Sequence, residues 1–343
     1  MHGPRRLLVV GMVIILSTLT AKALMETVLI GPRFAVDLEI TLRAAERWLA
    51  SDRPYLPDAF TSPPGATQPF LYPPYTLPLF ALLSAVPRQA LAVIVVGVLL
   101  VVAVLTCRRL AIPWKWVPLA LAWPPFAEAI FGANIQVVLV AAFVFLFYRP
   151  TAVPWRPRAR DLTDPAESTA RIAALSTAVG VIKVSQLHAW VYVARHRWRA
   201  AVAGAVAVLS IIAGTLPLTG IGPWFDWIAQ IRLAGDPTWD LGGFALSRFV
   251  PPGVGVAIAG ACLIGAALVP ARRAPEWLGV LSVVGALSLH IFGLLFLIPA
   301  MLRVRPEGAL LAAILVATYS YEGAWAGTIV CTILLALDTR PSR

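Results

Sequence analysis

Apolar runs of about 15 to 20 residues recur from one end of the chain to the other, close to what a helix needs to cross a hydrocarbon layer of roughly 30 Å. Runs at 7–25, 89–106, 112–130, 134–148, 200–218 and 252–270 are predicted as crossings. The first follows Arg5-Arg6, as in a signal peptide, but continues without a small-residue cleavage site and is predicted as a retained first helix. Three further runs, 171–194, 277–302 and 308–337, begin and end beside basic charge. At ~1.5 Å per residue the first two are too short for two full crossings. They predict shallow hairpins with tips at Gly180 to Gln186 and near Ser288-Leu289-His290, and the third allows a tight full hairpin.

A different periodicity marks Asp37 to Leu49, inside the polar loop 26–71. Leu38, Leu42, Ala45, Trp48 and Leu49 fall on one side of a helix and Glu39, Arg43, Glu46 and Arg47 on the other, the pattern of a helix lying in a membrane interface. Tyr72-Pro73-Pro74-Tyr75-Thr76-Leu77-Pro78 then opens a run ending at Pro87, whose prolines disfavour a straight crossing. If 72–87 crosses, Arg108-Arg109 lies opposite the other basic clusters. If it enters only partway, the clusters at 108–109, 156–160, 195–199, 272–273 and 303–305 share one face, and this second count is adopted. It leaves a second outer loop at 219–250.

Composition agrees: of 343 residues 59% are hydrophobic and 13% charged, so residues 1–343 are expected to form a single transmembrane domain. The net charge of +11 comes from short basic clusters between apolar runs, the positive-inside pattern of a cytoplasmic face, and not from a nucleic-acid surface. Cys107, Cys262 and Cys331 lack metal-ligand spacing and read as packing residues.

An ionisable side chain at membrane depth costs several kcal/mol unless paired or wet, so each is a site candidate. Lys183, at the first hairpin tip, could hold a phosphate or snorkel to the interface. Asp37 is either an N-cap or a general base, and Glu39 is a weaker candidate among solvated charges. His290 is either a packing residue or a phosphate-binding or proton-carrying group. Asn134 and Gln136 could hydrogen-bond a sugar or start a helix. In the second outer loop Trp224, Trp227 and Trp239 stand near Asp226, Asp236 and Asp240, a composition that suits sugars and an aromatic belt equally. No phosphate loop, Ser/His/Asp arrangement or metal-ligand cluster appears in the sequence.

Asp37 before Ala44-Ala45, Pro54-Tyr55, and Phe70-Leu71-Tyr72-Pro73-Pro74 resemble the start of the polytopic GT-C glycosyltransferases of family 87. Gly132 with Asn134 and Gln136, Gly180-Val181-Ile182-Lys183-Val184, Arg195 to Ala200, and the His290 hairpin ending Leu297-Ile298-Pro299-Ala300 resemble its later blocks in order, over about residues 30 to 302. Two positions depart from the family pattern: Ser185-Gln186 replaces a proline after the hairpin lysine, and Leu289 precedes the histidine where an aromatic or acidic residue is usual.

The resemblance implies an all-α polytopic integral membrane protein, a GT-C-like bundle of roughly 9 to 12 transmembrane or re-entrant helices with an extracytoplasmic amphipathic helix after the first span. It implies transfer of a sugar, mannose first and arabinofuranose as the alternative, from a polyprenyl-phosphate donor to a lipid-linked or cell-envelope glycan acceptor. The enzyme is expected in the plasma (inner) membrane, among membrane lipids, with its site on the extracytoplasmic side and no nucleic-acid partner. Asp37 would be the catalytic base, Lys183 and His290 would bind donor phosphate, and Tyr72, Asn134, Gln136 and Asp240 would contact sugar or acceptor. No cofactor is expected, and a divalent ion is left open. A secondary transporter or lipid flippase is the competing class, and a non-catalytic membrane partner a third.

Overall fold

The computed structural model describes residues 3–26, 34–51, 53–56, 69–162, 164, 166–182, 187–234, 243–246 and 249–338. Among them helix dominates, with one two-residue antiparallel ladder. In chain order the helices are α1 (Gly3–Met25), α2 (Val36–Ser51), α3 (Leu77–Leu83), α4 (Arg88–Arg109), α5 (Val117–Ala122), α6 (Pro124–Phe131) and α7 (Gln136–Phe147). The ladder pairs β1 (Tyr148–Arg149) with β2 (Arg158–Ala159). There follow α8 (Thr169–Ile182), α9 (Leu187–His196), α10 (Trp198–Thr219), α11 (Gly222–Ala234), α12 (Pro252–Leu268), α13 (Ala274–Val284), α14 (Ile298–Arg303), α15 (Pro306–Ala317) and α16 (Tyr321–Ala336). A 3-10 turn, Ile291–Leu297, leads into α14.

Among the described residues three helices, α1, α4 and α10, are long and apolar enough to cross a membrane. Their outward residues, among them Ile14, Val93, Val101 and Leu209, are exposed, an arrangement that lipid accepts and water does not. α12 follows as a 17-residue apolar helix, and the chain then bends by 117° into α13. The chain is thus an all-α polytopic membrane protein.

Two expected crossings are corrected. Residues 112–130 form a 3-10 turn (Trp114–Trp116), α5 and α6, broken at Trp123, where ψ is 131°. The cause is Pro124-Pro125, since a residue before proline is driven out of the helical region. The run 134–148 yields α7, whose 12 residues rise only about 18 Å. Residues 72–87 give the turn Pro74–Thr76 and the seven-residue α3, together about 16 Å and short of a crossing.

The apolar side of α2 is covered by protein. Leu38 and Leu42 pack with Leu91 and Ala92 of α4, and Ala44 and Trp48 with Tyr55, Phe70 and Leu77. Leu49, expected on this side, is 63% exposed, and Ala44 takes its place in the contact.

Charge sorts the helix ends onto two faces. Arg109, ending α4, donates to the Tyr148 carbonyl at 2.8 Å. Arg149 pairs with Asp164 at 3.3 Å and Glu167 at 2.7 Å, Arg160 pairs with Glu167, and Arg197 donates to the carbonyls of Leu162, Asp164 and Glu167. Arg303 and Arg273 both reach Asp338, and Tyr148 lies within electrostatic reach of Glu276 and Arg303. The basic clusters at 109, 149–160, 197, 273 and 303 therefore lie together on one basic face. At the other end of α4, Arg88 pairs with Glu39 and Glu46 of α2.

On that second face α11 lies against the first loop. Trp227 Nε1 donates to the Leu71 carbonyl at 3.0 Å and Gln230 to that of Leu56 at 3.4 Å. Trp224 packs edge-on to Trp227 and against Tyr75.

The short helices share one habit: α8 and α9, α13 and α14, and α15 and α16 each start or end beside the basic face and turn back. The turns of the last two pairs, at 285–290 and 318–320, lie within the described residues, as does 132–135 between α6 and α7. Such half-crossing arms are stable only when protein surrounds them, because their exposed backbone ends cannot be left in lipid. The interior accordingly holds Phe143, Phe147, Phe296, Leu139 and Leu295, all fully buried.

Candidate active site

Asp37 enters its position through the backbone. The Ala35 N–H donates to the Phe131 carbonyl at 2.6 Å and the Asp37 N–H to that of Gly132 at 2.9 Å, so the start of α2 is laced to the end of α6. Glu39 N–H donates to the Ala35 carbonyl, which makes Ala35 the N-cap in place of Asp37 and puts Asp37 inside the first turn, two positions past the cap. There its carboxylate still benefits from the positive end of the helix dipole.

Asn134 braces the side chain. Asn134 Nδ2 donates to Asp37 Oδ2 at 2.9 Å, while Asn134 Oδ1 accepts the Gln136 N–H at 2.8 Å. The second bond fixes the amide orientation, since only the NH2 end can then face a carboxylate. Asn134 is 3% exposed, whereas Asp37 is half-buried. Gly132 provides the room: a Cβ there would lie 3.2 Å from Asp37 Oδ2 and 2.8 Å from the Glu128 carbonyl oxygen. Ala35 and Ala133, flanking this crossing, have φ of 55° and 56°, a left-handed conformation that costs a non-glycine residue about 1–3 kcal/mol. The surrounding bonds hold both residues there.

Depth follows from helix lengths. Ala35 and Ala133 share a hydrophobic cluster with Leu91, Ala92 and Val95, three to seven residues in from Arg88. From the other side, the 12 residues of α7 rise about 18 Å from Tyr148 while the 22 of α4 rise about 33 Å from the same level. Asp37 thus lies roughly 5–15 Å inside the Arg88 end of α4.

Tyr72 belongs to this neighbourhood. Tyr55 donates its hydroxyl to the Tyr72 carbonyl at 2.7 Å. Burial, and then the Asp37 charge, push the Tyr72 phenol well above its ordinary range, so it is a neutral hydroxyl beside the carboxylate. Gln136 is fully buried beneath the turn and, like Asn134, contributes to the floor.

His290 stands at the start of the 3-10 turn Ile291–Leu297, stacked on Phe292 with ring centroids 5.3 Å apart. That turn packs against α6, the helix whose end holds Asp37. Its neighbour Leu289 accepts the Phe244 N–H, and Trp325 Nε1 donates to the Phe244 carbonyl at 2.9 Å, which pins the His290 turn to the C-terminal hairpin. Lys183 and Asp240 lie outside the described residues, as does the tip 183–186. Among the described residues no three His, Cys, Asp or Glu side chains gather as metal ligands.

One residue escaped the sequence reading. His188, at the start of α9, is 2% exposed and joins two hairpins: a Cβ on Gly285 would meet its Nε2 and Cys262 Cβ, each at 2.7 Å. The available signal was an ionisable residue in an apolar run just past a hairpin tip.

A multi-pass helical membrane protein whose short helices raise a braced carboxylate to a recessed level is suited to chemistry on a substrate partly held in lipid. The family comparison makes the class specific: the family model for Glycosyltransferase family 87 matches residues 70–250, more than half of the chain. The chain belongs to glycosyltransferase family 87 and is a membrane glycosyltransferase. No curated protein and no solved structure matches it.

Proposed function

We propose that the protein transfers a sugar from a polyprenyl-phosphate donor to a lipid-linked or cell-envelope glycan acceptor on the extracytoplasmic side of the plasma membrane, with Asp37 as general base. The observation that carries this reading is the recessed, half-buried Asp37 carboxylate braced by Asn134. A lipid-borne donor keeps its phosphate near the headgroup level, so a base recessed by roughly 5–15 Å from the outer helix end suits an anomeric carbon held just below that level. The basic face is then cytoplasmic by the positive-inside rule, and the loops 26–71 and 219–250 are extracytoplasmic.

In the proposed reaction the acceptor hydroxyl loses its proton to the Asp37 carboxylate and its oxygen bonds to the anomeric carbon. The bond from that carbon to the phosphate oxygen breaks, the electron pair leaving with polyprenyl phosphate, so configuration inverts. Lys183 and His290 would steady the phosphate as its charge grows, and Tyr72 and Asp240 would contact sugar or acceptor hydroxyls. Mannose is the preferred sugar and arabinofuranose the alternative.

The test is a donor screen with purified protein: polyprenyl-phosphate mannose, arabinofuranose and glucose, each with native membrane lipids as acceptor, in wild type and Asp37→Asn. Wild type should label a product from one donor, and the variant should fall by about 10²–10⁴-fold while remaining folded. Near-normal turnover by Asp37→Asn would remove the base assignment, and donor binding without transfer by wild type would favour a flippase.

A further inference from the structure

The basic face carries an arrangement that the transfer reaction does not use. Three arginines converge on the C-terminal end of α7. Arg109 Nε donates to the Tyr148 carbonyl at 2.8 Å, Arg171 Nη2 to that of Phe145 at 2.9 Å, and the Arg160 main-chain N–H to that of Phe147 at 2.7 Å. They stand close enough to repel: Arg160 and Arg171 both act on Arg109, and Arg160 on Arg171.

The nearby carboxylates are already engaged. Glu167 takes Arg160 and Arg149, and Asp164 takes Arg149. Among the described residues neither Arg109 nor Arg171 has a carboxylate within ion-pair distance. Arg160 has a side chain only 7% exposed, and its Nε is buried with no acceptor among those residues. Capping α7 explains some of this positive charge, because a helix C-terminus carries about half a negative charge. It does not explain why the guanidiniums of Arg109 and Arg171, both half-buried and reachable from the surface, stand beside that of Arg160, which Glu167 holds.

A tetrahedral anion with several acceptor oxygens would match the forks of Arg109 and Arg171 and offer an acceptor toward Arg160. Position narrows the source. Arg109 is the last residue of the 22-residue α4, so the cluster lies where a membrane-spanning helix meets the headgroup layer. We propose that Arg109, Arg160 and Arg171 form a phosphate-binding site on the basic face, filled by a lipid headgroup phosphate or by free phosphate, on the face opposite Asp37.

The experiment uses the full chain in a neutral detergent, following thermal unfolding and the lipid retained in native mass spectrometry. Short-chain phosphatidylglycerol, phosphatidylcholine and inorganic phosphate are added separately. Stabilisation by phosphatidylglycerol at micromolar levels, with phosphate inactive, supports a lipid headgroup; stabilisation by inorganic phosphate supports a free-phosphate site. Arg109→Gln with Arg171→Gln keeps amide donors for the α7 carbonyls but removes two charges, and should weaken either ligand about tenfold or more. Arg195→Gln with Arg199→Gln, exposed on the same face, should leave binding intact. Equal stabilisation of the wild type by phosphatidylcholine and phosphatidylglycerol, or no response to any of the three, overturns the site whether or not the double variant folds. Unchanged binding by a folded double variant overturns it as well.

Discussion

The bond from Asn134 to Asp37 gives the sharpest prediction, because two explanations of Asn134 diverge under a single substitution. As a helix-start residue, Asn134 accepts the Gln136 N–H at 2.8 Å, which aspartate would do equally well. As the brace of a general base, it donates to Asp37 Oδ2 at 2.9 Å, which aspartate cannot do while ionised. Asn134→Asp therefore keeps the helix start, removes the donor and sets a second carboxylate against the first. A hydrogen bond to a charged group is worth about 1.5–3 kcal/mol. At roughly 1.4 kcal/mol per factor of ten, its loss alone should slow transfer about 10- to 100-fold. The like charge acts in the same direction, with an upper bound of about 4 kcal/mol at 4 Å in a partly wet site. Both effects favour the protonated carboxyl, so the acid limb of the pH–rate profile should move to higher pH. The assay is initial rate against pH, with donor and acceptor saturating, and thermal unfolding as the control for folding. A folded Asn134→Asp protein with a near-normal rate and an unmoved acid limb would refute the bracing argument.

Lys183→Met should lower donor affinity tenfold or more in equilibrium binding while leaving the fold intact, and unchanged affinity would return the lysine to snorkelling. Cysteines placed at Gly65 and Trp239 should be labelled by an impermeant reagent from outside and one at Ala159 should not; labelling at Ala159 would reverse the orientation. Gly279→Ala should destabilise by about 1–3 kcal/mol in thermal or denaturant unfolding, because its Cβ would stand 2.1 Å from the Phe296 carbonyl oxygen where α13 meets the following 3-10 turn. An unchanged midpoint would mean that this hairpin can open without cost.

The long crossings were legible because 3.6-residue packing in lipid asks for little beyond length and apolarity: α4 and α10 match runs seen in the sequence to within a few residues. The turn-back within 277–302 was legible from charge, since the run begins and ends beside arginines, while the tip expected in 171–194 lies outside the described residues. The break at Trp123 was missed although Pro124-Pro125 announces it, because hydropathy averaged over 112–130 conceals a local backbone constraint. Asp37 was legible as a cap or base at the start of the amphipathic helix and through the family resemblance, but its tie to Asn134 spans 97 positions and no periodicity encodes such a contact. The outward turn of Leu49 was similarly hidden, because the sequence alone does not distinguish a helix face covered by lipid from one covered by α3 and α4.

The difference in length between α4 and α7 has a consequence for solvation. From the basic face α4 rises about 33 Å and its neighbour α7 about 18 Å, so the start of α7 lies well inside the Arg88 end of α4. The exposed apolar residues of α1, α4 and α10 suit acyl chains, while the half-buried Asp37 carboxylate lies nearer the level where α7 starts than the Arg88 end of α4. A glycolipid seated there could keep its sugar wet and its tail dry without leaving the membrane. A thicker bilayer would raise the surrounding lipid relative to that level, so turnover should depend on acyl-chain length even though no catalytic group touches an acyl chain.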